Sequence, residues 1–154
     1  MLHSRVLPVS SLVAALLAGS TADAQTVVYA KDGTRAAVQA AVDALKGAGV
    51  VVIPQGEFEL VGTVSVTADD VTIIGAGAGR TRLFRNPPPA GADAATVATY
   101  TAAFLQAKAA ARPRFSAMSI RSWKATTGLG DRDLGIACSA CQDFRVDHCS
   151  FQYT

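Results

Sequence analysis

The spacing of apolar positions divides the chain into one helix and a long series of short strands. Val38, Ala41, Val42 and Leu45 recur at i, i+3, i+4 and i+7, which puts them on one face and predicts a helix over about Arg35 to Lys46. Asp32 or Thr34 is placed to cap its start, and Gly47 with Gly49 to end it. Directly afterwards Val50-Val51-Val52-Ile53-Pro54, an apolar run stopped by proline, reads as a buried strand. The period then becomes two. Phe58 and Leu60, Val64 and Val66, and Val71 and Ile73 alternate with polar or small residues, and Asp69-Asp70 and the glycines at 56, 62 and 75 mark bends. The strands are short and lack the two-residue turn signals of hairpins, so the pattern predicts an all-β solenoid of wound strands.

The second half repeats itself weakly. Arg114 to Ile120 and Asp143 to Cys149 share a shape, with Phe115 matched to Phe144, Ala117 to Val146 and Ile120 to Cys149 at an offset of 29. Each follows another apolar segment, near Phe104-Leu105 and near Leu134-Gly135-Ile136, and Val71 with Ile73 fits one repeat earlier. Asn86 to Ala102 reads as an insertion loop, opened by Pro87-Pro88-Pro89 and continued by an Ala/Thr-rich stretch. Ala94 to Ala111 has helical propensity, but the repeat requires a strand at Phe104, so a loop followed by a strand is expected. Lys124 to Arg132, with Gly128 and Gly130, is a second loop.

Length and charge narrow the class. With 154 residues, half of them apolar, the chain suits one core and not a two-domain enzyme. Residues 1–24 carry a short positive start, an apolar stretch from Val6 to Ala18 and small residues at Ala22-Asp23-Ala24, the pattern of a signal peptide cleaved before Gln25. No other segment could span a bilayer, so residues 25–154 are expected to form one secreted or periplasmic domain with no membrane contact after cleavage. The net charge of +2 gives no argument for nucleic acid. It is unevenly spread: residues 25–79 sum to −3 and residues 80–154 to +5. A positive second half suits an anionic partner such as a polyuronate, although no tight basic cluster stands out.

Three stretches, TRAAVQAAVDALKGAGVVVIPQGEFEL, GTVSVTADDVTIIGAGAGRTRL and DLGIACSACQDFRVDHCSF, resemble the N-terminal part of secreted right-handed parallel β-helix proteins of the pectate-lyase superfamily. The resemblance implies that the helix at 35–46 caps the open end of the stack and that the VVIP strand starts the first coil. Two to three coils are expected, with no second cap near Thr154, as in a partial product of a longer β-helix. The scaffold serves lyases, hydrolases and non-catalytic adhesins alike. What the resemblance implies is a polysaccharide lyase cleaving an acidic glycan such as pectate by β-elimination; the alternatives are a non-catalytic glycan-binding or surface-attachment β-helix, or an inactive fragment.

Candidate chemistry is sparse. Val71 to Arg80 looks like a dinucleotide fingerprint, but Arg80 stands where glycine or alanine is needed and no amphipathic helix follows, so it reads as a bend between coils. Cys138, Cys141 and Cys149 lack the paired spacing of a zinc site and the helix N-terminus of a redox CxxC. In an exported protein a Cys138–Cys141 disulfide with Cys149 packed inward is the plain reading. Asp147-His148-Cys149 resembles the WIDHC segment of pectate lyases, with Arg145 in place of the tryptophan. Elimination needs a base for the proton beside the carboxylate and a cation to neutralise the developing enolate. The candidates are Arg121, Lys124, Asp133, Arg145, Asp147 and His148, and the resemblance admits Ca2+ as a cofactor.

Overall fold

The computed structural model describes residues 25–123 and 135–153. The expected signal peptide, Lys124 and Asp133 lie outside the described residues. Before the first helix runs β1 (Val27–Tyr29), and α1 (Arg35–Leu45) follows it. Next come β2 (Gly49–Val52), β3 (Gly56–Glu59), β4 (Val64–Val66), β5 (Val71–Ile74) and β6 (Thr81–Phe84). After α2 (Ala94–Thr101) come β7 (Leu105–Lys108), β8 (Arg114–Ser116) and β9 (Ser119–Ser122), then β10 (Ile136–Ser139), β11 (Arg145–Asp147) and β12 (Ser150–Tyr153).

All pairings are parallel, and they form three open sheets. Sheet A has the order β1-β2-β5-β8-β11, sheet B β12-β9-β6-β3 and sheet C β10-β7-β4. From β2 onward the described strands visit A, B and C in that fixed sequence, so each circuit lays one strand on each sheet beside the strand of the circuit before. Inward positions therefore stack into rows. Val51, Ile73 and Phe115 align in sheet A, and Leu83 with Ile120 in sheet B. Val64 with Leu105 and Val66 with Ala107 align in sheet C. These residues are almost wholly removed from water and form one continuous core.

The repeat differs from the sequence expectation in register. Phe115 pairs with Val146 and Ile120 with Phe151, an offset of 31 and not 29. A slip of two residues keeps every side chain on its own face of a strand, so alternation alone cannot separate the two registers. The bends confirm the longer period. Ala109 and Ala140, Arg112 and Asp143, and Ala117 and His148 form three left-handed pairs, each 31 residues apart.

The helix sits where its pattern placed it, with Val38, Ala41 and Leu45 buried. Its ends are made differently. Asp32 accepts from the N–H and hydroxyl of Thr34, not from the helix, and Lys46, not a glycine, takes the left-handed C-cap. Its polar side satisfies the free edge of β4: Gln39 accepts from the Ser65 N–H and donates to the Ser65 carbonyl, while Arg35 donates to the Thr63 carbonyl. The 86–102 segment leaves the strands as expected, but it is not all loop. Asp93 accepts from the Thr96 N–H and starts α2, which buries no side chain.

Arg85 ties this excursion down. Its buried guanidinium donates to the carbonyls of Leu60, Gly62, Tyr100 and Ala102 and lies 4.1 Å from the Phe104 ring centroid. One planar cation thus joins two bends of the chain.

Candidate functional site

Two outward surfaces gather chemistry-bearing side chains. On sheet A, the register puts Arg145 beside Arg114 and Asp147 beside Ser116. Asp147 is the centre of that group. Arg114 grips it with two donors at 2.8 and 2.7 Å, the buried Ser116 hydroxyl donates at 3.0 Å, and His148 Nδ1 lies 2.7 Å from Oδ2. The Arg114 guanidinium, with His148 next and Ser116 adding to both, holds the Asp147 carboxyl well below the usual carboxylate range; the same pairing pushes Arg114 up.

An ionised Asp147 fixes the orientation of the His148 ring. With Nδ1–H donating to the carboxylate, neutral His148 carries its lone pair on Nε2. The ring is 79% exposed, so Nε2 is open to an incoming molecule. Ser116 donates to Asp147 and not to the imidazole, so these residues do not compose a nucleophilic triad. His148 is the first residue of the bend after β11 and has a left-handed backbone.

The second surface is a groove on the outer face of sheet B, lined by Glu57, Arg82, Phe84, Ser119, Arg121 and Gln152. Two outward rows cross it. Glu57, Arg82 and Ser119 form one, with Arg82 and Glu57 in an ion pair at 2.7 Å. Glu59, Phe84, Arg121 and Gln152 form the other. The Arg121 guanidinium stands 5.3 Å from the Phe84 ring centroid.

Among the six residues singled out from sequence, Asp147 and His148 are brought into contact, and Arg145 shares their sheet. Arg121 lies on a different sheet, in the groove. Arg114 and Ser116, the cross-strand partners of Asp147, were not anticipated. The correct offset would have exposed them, because it sets Arg114 against Arg145 and Ser116 against Asp147. A disulfide joins Cys138 to Cys141, and the half-buried Cys149 thiol, pushed up by burial, packs against the core. The glycine-rich segment is a bend held by the Ala117 carbonyl, which accepts from Gly77 N–H.

Several of the described carboxylates are already engaged. Asp147 is saturated by Arg114, Ser116 and His148, Asp70 is held by both arms of Arg112, and Asp69 accepts from the Ala111 N–H. No three His, Cys, Asp or Glu side chains converge among the described residues. Comparison with protein-family models, curated proteins and solved structures finds no match.

Proposed function

We propose that the chain folds as a right-handed parallel β-helix, is exported, and acts on an acidic polysaccharide by β-elimination. Support for the β-helix comes from the fixed A-B-C order of the strands, and for its hand from the near-universal right-handedness of parallel crossovers. The observation that carries the activity is the oriented, solvent-facing His148 imidazole on Asp147.

In this reading, His148 Nε2 removes the proton on the carbon next to a uronate carboxylate. The electron pair forms a carbon–carbon double bond, the glycosidic carbon–oxygen bond breaks, and the departing oxygen takes a proton from water. Arg145 neutralises the carboxylate as charge builds on it; among the described residues it has no carboxylate partner of its own. Arg114 and Ser116 keep Asp147 ionised and in place, and so position the base.

Incubation of the chain with polygalacturonate should release products with the ultraviolet absorbance of an unsaturated uronate. His148→Ala should lower that rate about 100-fold or more, while leaving the circular-dichroism spectrum unchanged. Release of reducing ends without the new absorbance would replace elimination by hydrolysis. The high exposure of His148 favours a second reading, in which the surface binds glycan without cleaving it, and binding with neither product would select that one.

A further inference from the structure

We infer that the groove on the outer face of sheet B is a subsite for one carboxylated sugar, with Arg121 as the carboxylate ligand and the Phe84 ring as the platform. The inference rests on the acidic-glycan reading above, but it concerns a different face from the Asp147–His148 pair. Several observations combine to support it. Arg121 is exposed, and among the described residues its contact is a ring face and not a carboxylate, so its charge is available. The acids nearby are already engaged: Glu57 is neutralised by Arg82, and Glu59 accepts from Asn86 at 3.0 Å on the far side of Phe84 from Arg121.

The chemistry of the lining suits a uronate better than a neutral sugar or a nucleotide. A sugar ring has an apolar C–H face that lies on an aromatic ring, and Phe84 offers a half-buried one. The carboxylate on the ring edge is the natural partner of a planar guanidinium fork, and Arg121 is held over that same aromatic ring. Gln152 supplies an amide for the sugar hydroxyls, and Ser119, whose hydroxyl donates to the Ala78 carbonyl, offers its oxygen only as an acceptor. The rows also run across the strands, so neighbouring circuits present these groups in sequence along a line about 4.8 Å per step. A polymer lying along that line would meet Phe84, Arg121 and Gln152 in turn.

The test is titration calorimetry of the full mature chain with trigalacturonate and with the neutral galactose trisaccharide. The subsite predicts binding of the acidic probe only. R121Q should weaken it about tenfold or more, R121K should not restore it, and F84L should weaken it as well. K108Q removes an exposed charge on sheet C and should change nothing. Unchanged binding by R121Q, or equal losses in R121Q and K108Q, would overturn the subsite while the acidic-glycan reading stands. No binding of trigalacturonate by the wild-type chain would overturn that reading and the subsite with it.

Discussion

At the residue scale, Asp147 is the point where chemistry and stability meet. Its carboxylate accepts from two side chains of β8, one circuit away, and from the adjacent imidazole, so the same bonds that orient His148 also fasten β11 to β8. The sign of the pH dependence follows from the depressed folded-state pKa. An unfolded Asp titrates near 3.9, so the stabilisation is complete above about that value and is lost as pH falls toward the lower folded pKa. Asp147→Asn keeps the shape but lacks the charge. Thermal melts should show the variant less stable than wild type near neutral pH, with the gap closing in the acid range below about pH 4. A gap that stays constant down to about pH 2 would mean that ionisation of Asp147 is not what Arg114 and His148 stabilise. Arg85 is the contrasting case: a buried cation whose guanidinium donates to four backbone carbonyls.

At the element scale, α1 acts as a substitute strand. Parallel sheets leave a row of free N–H and C=O groups at each edge, and β4 is the first strand of sheet C. Gln39 gives Ser65 both the acceptor and the donor that a neighbouring strand would give, while Val38, Ala41 and Leu45 cover the apolar end of the core. Gln39→Ala should therefore speed hydrogen exchange at the Ser65 amide and cost about 1 kcal/mol, with little change at Val71, whose strand is paired on both sides. Equal acceleration at both amides would make Gln39 a contributor to global stability and not an edge cover. This helix was legible because its four apolar residues carry a 3.6-residue period that only a helix explains. The helix α2 was not legible, since its Ala and Thr residues bury nothing and leave no stripe; its one local signal is Asp93 three residues before Thr96. The candidate site was half legible for a related reason. The Asp147–His148 contact is local in sequence, whereas Arg114 and Ser116 reach Asp147 only through the register, the quantity that a period of two leaves open.

At the scale of the whole molecule, stability should be graded along the stack. The strand contacts run between neighbouring circuits, and three ion pairs, Glu57–Arg82, Asp70–Arg112 and Arg114–Asp147, also join adjacent ones. A structure held this way behaves as a chain of nearest-neighbour couplings, so its outermost circuit can open without the rest. That circuit is the one bearing β10, β11 and β12, each paired on one side only. Its apolar residues show the consequence. Val146 is 37% exposed and Phe151 44%, although their register partners Phe115 and Ile120 are buried. Hydrogen exchange should therefore be fastest across residues 145–153 and slowest in β5, which lies between β2 and β8. Leu83→Ala, in the buried row of sheet B, should cost about 2 to 5 kcal/mol and accelerate exchange in β5. Phe151→Ala should accelerate exchange mainly in its own circuit, because less area is lost and only one neighbour feels it. If Phe151→Ala instead lowers protection in β5 as much as Leu83→Ala does, the circuits unfold together and the stack is a single cooperative unit.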